Sequence, residues 1–186
     1  MMIRLALGLL LLLAACATEP SGGATEAARE PFDATDYRLG SGDEVRVTVF
    51  GEPDLSGTFK VDGRGEVTLP LVGSVSADGR TSGDLASAVG DALREGYLRD
   101  PRVTVEVAAY RPYFILGEVE KPGTYPYQNG LTVMNAVATA QGFTYRANER
   151  VVLIRRDGET EERRFVLNSA TPVRPGDTIT ITERFF

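Results

Sequence analysis

Apolar and polar positions along this chain repeat with two periods, and the switches between them mark out the elements. Val45, Val47 and Val49 alternate with Arg46 and Thr48, which predicts a half-buried strand. Phe50 to Gly57 is rich in turn formers and reads as a loop. Phe59 and Val61 suggest a second strand, and Val67-Thr68-Leu69 a third that runs on through Pro70 to Val75. The period then changes. Leu85, Ala88, Val89, Ala92 and Leu93 fall at helical spacing, so residues 82 to about 95 are expected to form an amphipathic helix. Thr81 and Asp84 have capping-box spacing at its start, and Gly96 is a suitable stop. Val103, Val105 and Val107 return to strand alternation, and Tyr110-Arg111-Pro112 reads as a short joint.

The second half repeats this grammar. Residues 114–119 form an expected strand, 120–123 a turn and 124–127 a short strand. Thr132 is placed to cap a helix carrying Val133, Ala136, Val137 and Ala140, with Gly142 just past its end. Strands over 151–155, 162–166 and 178–182 complete the pattern. Two echoes connect the halves. Ser41-Gly42-Asp43-Glu44-Val45 matches Pro175-Gly176-Asp177-Thr178-Ile179, each a Gly-Asp turn feeding an alternating strand. Leu71-Val72-Gly73-Ser74-Val75 matches Ile115-Leu116-Gly117-Glu118-Val119, each ahead of a Thr-capped helix. The expected fold class is α+β, with two small modules that each pack one helix on a sheet.

Residues 5–15 are a continuous apolar run behind Arg4. The run suits a signal-peptide core and is too short for a membrane span, which needs about 20 residues. It ends in Leu13-Ala14-Ala15-Cys16, which resembles the bacterial lipoprotein signal. That resemblance implies acylation of Cys16 and cleavage before it. With Ala17 rather than Asp next, it implies sorting to the outer membrane. Residues 17–36 are small and polar apart from Phe32, and read as a flexible tether with an r.m.s. reach of about 25 Å.

Composition narrows the chemistry. The chain has one cysteine and no histidine or tryptophan. An internal disulfide, a Cys/His zinc site and imidazole-based nucleophilic catalysis are therefore excluded. The lysines are Lys60 and Lys121, and Lys121 sits in a Lys-Pro-Gly turn, which argues against a Ser-Lys dyad. The net charge is −6, with no basic run of the kind that binds phosphate backbones, so nucleic acid is not an expected partner. Glu118 and Glu120 would lie on one strand face about 7 Å apart, a carboxylate pair to weigh for glycoside hydrolysis. Solvated strand-end charges explain them more simply. Tyr110, Tyr113, Tyr125, Tyr127 and Tyr145 gather in the second half, where core and interface roles compete with sugar stacking. No catalytic residue and no cofactor are expected.

Three strings carry a family resemblance. They are Tyr37-Arg38-Leu39-Gly40-Ser41-Gly42-Asp43-Glu44-Val45, Val49-Phe50-Gly51-Glu52-Pro53-Asp54-Leu55-Ser56-Gly57 and Val67-Thr68-Leu69-Pro70-Leu71-Val72-Gly73. With Gly96-Tyr97-Leu98 and Asp100-Pro101-Arg102-Val103, they resemble the polysaccharide export domain of outer-membrane exporters. Phe114-Ile115-Leu116-Gly117-Glu118-Val119, Pro122-Gly123-Thr124-Tyr125, Ala140-Gln141-Gly142-Phe143 and Val173-Arg174-Pro175-Gly176-Asp177 resemble the soluble-ligand-binding β-grasp domain that follows it. The implied organisation is a signal peptide over 1–15, a tether over 16–36, an export domain over 37–111 and a β-grasp domain over 112–186.

The resemblance implies a ring-forming lipoprotein that passes polysaccharide through the periplasm, partnered by an inner-membrane co-polymerase, without enzymatic activity. Larger members end in a helix that lines a pore through the outer membrane. This sequence stops directly after its last strand at Phe185-Phe186, so a short form that relies on a separate outer-membrane barrel protein is expected. Phe185-Phe186 would either dock on that barrel or pack at a sheet edge. The competing expectation is a monomeric periplasmic lipoprotein that captures glycan through the 50–57 loop or the 120–124 turn.

Overall fold

A computed structural model of the chain describes residues 37–184. The apolar leader, Cys16, the tether and Phe185-Phe186 lie outside the described residues. The class is α+β, as expected: among the described residues, ten strands and two α-helices are arranged around two hydrophobic clusters.

The alternating valines form β1 (Glu44–Val49), whose Val45, Val47 and Val49 are buried while Arg46 and Thr48 face out. β1 is the centre of a three-stranded antiparallel sheet, flanked by β2 (Gly57–Lys60) and β5 (Val103–Ala109). The predicted third strand divides. Residues 66–69 make β3 (Glu66–Leu69), the chain reverses over 70–72, and β4 (Gly73–Ser76) pairs back on it. Leu71 takes a positive φ of 66° at that reversal, which no apolar pattern announces. α1 (Ser82–Arg94) starts at the predicted capping box, with the Asp84 amide donating to Thr81 Oγ1 and the Thr81 amide to Asp84. Its Leu85, Val89 and Leu93 pack into the first cluster against β5 and β4.

The second cluster lies under a five-stranded sheet in the order β7-β6-β10-β8-β9. Its strands are β6 (Tyr113–Gly117), β7 (Gly123–Tyr125), β8 (Ala147–Arg155), β9 (Arg163–Val166) and β10 (Thr178–Glu183). β10 runs parallel to β6 and antiparallel to β8, so the last strand fills the middle of the sheet. α2 (Val133–Thr139) covers one face through Val133, Ala136 and Val137. The opposite face leaves Phe114 and Leu116 of β6 and Val166 of β9 exposed.

Two expectations about this half are corrected. The predicted strand over 114–119 ends at Gly117, which turns left-handed at φ 83°. Val119 beyond it makes an isolated bridge to Phe143. The echo between residues 71–75 and 115–119 is therefore not structural, because the first string is a hairpin reversal and the second the end of a central strand. At the end of α2 the first left-handed residue is Gln141 (φ 70°), one position ahead of the expected Gly142.

Gly117 is required where it stands. A Cβ there would lie 2.0 Å from the Ile181 carbonyl oxygen of β10, and the positive φ adds backbone strain. Gly117→Ala is predicted to cost about 3 kcal/mol of stability, read as a lower urea midpoint.

Candidate functional site: the joint between the two cores and the surfaces it fixes

The Gly-Asp echo is structural. Gly42 and Gly176 both take positive φ, 97° and 82°. Each lets the following aspartate fold back on its own turn. The Gly40 amide donates to Asp43 Oδ2 at 2.9 Å and the Arg174 amide to Asp177 Oδ2 at 2.7 Å. The aspartate amides return to the carbonyls of Gly40 and Arg174, at 3.1 and 3.2 Å. Both carboxylates are removed from solvent, with Asp43 0% and Asp177 1% exposed. Burial of a charge is costly unless donors surround it.

The two turns find their donors differently. Asp43 accepts from the Tyr37 hydroxyl at 2.7 and 2.8 Å, the Arg111 amide at 2.7 Å and Arg111 Nη1 at 3.2 Å. Burial first, then the bond to Asp43, pushes the Tyr37 hydroxyl far above the usual tyrosine range, so it stays a donor. Asp177 pairs with the Arg156 guanidinium, while its Oδ1 has no hydrogen-bond partner among the described residues. Burial pushes its carboxyl up to about 6, with the Arg156 charge opposing.

Arg111 ties the turns together. Its Nη1 meets Asp43, and its Nε lies 3.0 Å from Asp157 Oδ2, an ion pair that is off-line for a hydrogen bond. The side chain runs so close to both turns that a Cβ at Gly40 would come within 2.0 Å of Nη1, and one at Gly176 within 2.9 Å of Nε. The Gly176 amide also donates to the Pro112 carbonyl at 3.2 Å. Beside this polar seam runs an aromatic one. Tyr110 packs edge-on against Tyr37 (4.9 Å, 79°) and Tyr127 (5.4 Å, 76°), and it contacts both hydrophobic clusters. The joint read from Tyr110-Arg111-Pro112 is thus a packed contact held by charges and rings.

The other singled-out residues divide clearly. Tyr113 and Tyr127 are buried, and Tyr125 stacks on Tyr113 at 5.9 Å. Tyr145 alone of the five stands free, 82% exposed. Glu118 and Glu120 do not share a strand face, since β6 has already ended, and Glu118 is held by the Thr144 hydroxyl. No group of His, Cys, Asp and Glu among the described residues is arranged to hold a metal ion. The 50–57 loop contains a short 3-10 turn, Pro53–Leu55, and displays Phe50 at 73% exposure. The 120–124 turn is pinned, with the Glu120 and Lys121 amides donating to the carbonyls of Gly142 and Ala140. Cys16, the expected acylation site, lies outside the described residues. Sequence reasoning found both Gly-Asp turns but not their convergence on Arg111. The available signal was one arginine in the joint and an aspartate in each echo.

Comparison with known proteins bears on this two-core arrangement. A family profile described as polysaccharide biosynthesis/export protein matches residues 32–108, and an SLBB-domain profile matches residues 112–164. The exopolysaccharide production protein ExoF of Rhizobium meliloti is 38% identical over 121 residues, covering 59% of this chain and 29% of that protein. The EPS I polysaccharide export outer membrane protein EpsA of Ralstonia solanacearum is 28% identical over 169 residues, covering 72% and 45%. The polysialic acid transport protein KpsD of Escherichia coli is 26% identical over 159 residues, covering 80% and 28%. The chain spans less than half the length of each of these relatives.

Two predictions follow from the joint. Arg111→Gln, which leaves Asp43 buried without its cation, is expected to lower unfolding free energy by about 3 kcal/mol in urea titration. Arg111→Lys should not restore it, because one ammonium cannot span Asp43 and Asp157 as a guanidinium does. The Asp177 carboxyl is raised in the fold, so its protonation favours folding. That contribution is complete below about pH 4 and is lost as pH rises through about 6. The wild-type melting temperature should therefore fall between pH 5 and 7 relative to Asp177→Asn, whose curve should be flatter there.

Proposed function

From the premise that this chain belongs to the polysaccharide biosynthesis/export protein family, with an SLBB domain following the export domain, we propose that it is a component of an export conduit for capsular or exopolysaccharide. The observation that carries the proposal is the order of the two matched domains, together with relatives named for exopolysaccharide production, polysaccharide export and polysialic acid transport. The family is one of export proteins, not of enzymes. In this reading the chain makes and breaks no bond; its work is to hold a passage open.

Residues 1–15 are a signal peptide, 16–36 a tether, 37–111 the export domain and 112–186 the β-grasp domain. Acylated Cys16 anchors the protein at the outer membrane with its folded part in the periplasm. Copies of the chain close into a ring around the polymer. Its partners are an inner-membrane co-polymerase and a separate outer-membrane barrel protein. Among the described residues no helix is long and apolar enough to cross a membrane. A relative described as an outer membrane protein supports the location, and the clamped joint supports a stiff building block.

The test is genetic and biochemical together. Deleting the gene should abolish extracellular polymer, and the wild-type gene should restore it. A Cys16→Ser variant should move the protein from the membrane fraction to the soluble periplasm. Normal secretion by the deletion strain would refute the export role, and membrane retention of Cys16→Ser would refute the lipid as its anchor.

A further inference from the structure

A groove of about 650 Å³ opens between α1 and the adjoining ends of β1 and β5. That volume is within the range of about 300–1,000 Å³ typical of ligand sites. Phe50 stands at its lip, and Ser87, Asp91, Arg94, Arg102 and Thr104 line it.

Three observations set this groove apart from an incidental crevice. The first is that the backbone carrying its exposed ring is held in place. The Phe50 amide donates to the Arg102 carbonyl at 2.9 Å. The turn after it is closed by Ser56 Oγ, which accepts from the Val49 amide and donates to the Glu52 carbonyl, each at 2.9 Å. An apolar ring on a stiff support keeps its hydrophobic surface in water, at a cost in free energy. The second concerns charge. Arg102 has no carboxylate partner among the described residues, and its guanidinium lies 5.2 Å above the Phe50 ring. Arg94 is paired with Asp91 one helical turn away. The groove therefore carries two cations against one anion, in a chain of net charge −6. The third is Gly90, which also lines the groove from mid-helix. Glycine there weakens a helix relative to alanine by about 1 kcal/mol. Packing does not demand it, since an added Cβ would meet nothing nearer than 3.9 Å. Its missing side chain leaves the groove deep.

We propose that this groove is a subsite for a sugar chain bearing carboxylates, with a pyranose face on Phe50 and a carboxylate on Arg102. Ser87 and Thr104 supply hydroxyls for sugar hydroxyls. The planar guanidinium matches a carboxylate in two hydrogen bonds. The ligand class rests on the export reading, in which the cargo is a polysaccharide; the site rests on the groove alone.

The chain contains no tryptophan, so Phe50→Trp places a single, selectively excited indole at the lip. Full-length Phe50→Trp protein in detergent is titrated with hexagalacturonate and, separately, with neutral maltohexaose. Hexagalacturonate should change the emission saturably, binding at least tenfold more tightly than maltohexaose and weakening with added salt. In the same background Arg102→Gln should weaken hexagalacturonate at least tenfold. Gly90→Leu should abolish binding by filling the groove, whereas Gly90→Ala should bind normally and melt higher, which guards against loss of the fold. A flat hexagalacturonate titration, equal affinity for the two probes or unchanged affinity in Arg102→Gln would overturn the proposal. So would light scattering in which Phe50→Ala dissociates an oligomer while neither sugar binds, since the groove would then be a contact between copies. Normal secretion by a deletion strain would refute the export reading and leave a positive titration standing.

Discussion

The buried pair of Asp43 and Arg111 is the constraint on which the relation of the two cores depends. A carboxylate with no solvent contact must be met by donors or be neutralised. Its donors here come from three places: its own turn, Tyr37 at the start of the described chain and Arg111 in the joint. Satisfying one charge therefore fixes the positions of three segments. Arg111 carries the constraint onward by lying against Gly176 and pairing with Asp157, both in the second half. Tyr37, Tyr110 and Tyr127 contribute apolar area, and such contact is tolerant of sliding. The hydrogen-bonded charge is not, because a shift of an ångström leaves a buried donor or acceptor unpaired.

The twin turns show how one sequence motif can be satisfied by two different sets of donors. Gly42-Asp43 and Gly176-Asp177 share backbone shape and the fold-back hydrogen bond. Asp43 receives a hydroxyl, two amides and a guanidinium. Asp177 receives one amide and one guanidinium, and its Oδ1 is left without a hydrogen-bond partner among the described residues. Desolvation outweighs the Arg156 charge at Asp177, and its carboxyl rises. The two carboxylates are equally buried and differ in the number of donors that reach them.

The strands with alternating valines and the Thr81-capped helix were legible because period and caps are local signals. The hairpin of β3 and β4 was not, since Pro70-Leu71-Val72 reads as apolar continuation and reverses only because Leu71 accepts a positive φ. Gln141 hid for the same reason, with a better-suited glycine beside it. The need for glycine at the end of β6 was hidden because Ile181 of β10, which a Cβ at Gly117 would strike, is distant in sequence. The joint was half legible. Its turns and its arginine could each be seen, but the meeting of Asp43 with Arg111 is a fact of tertiary structure. The groove at Phe50 was legible only as a loop, because α1 and β5 supply the rest of its wall.

In the proposed conduit, an open groove with few polar contacts has a physical logic. A polymer in transit must be attracted enough to enter and must leave without a large barrier. One stacked ring and one solvent-screened ion pair contribute about 1 kcal/mol each, so such a groove holds a polymer only weakly. A deeper pocket with many convergent donors would hold each repeat and stall the chain. The groove offers one ring, one unpaired guanidinium and two hydroxyls on an open face. Weak contacts of this kind act on a moving polymer only if their spacing is fixed, since a floppy support would follow the ligand rather than guide it. In the groove that support is local: the Phe50 amide is bonded to the Arg102 carbonyl, and Ser56 closes the turn beyond it.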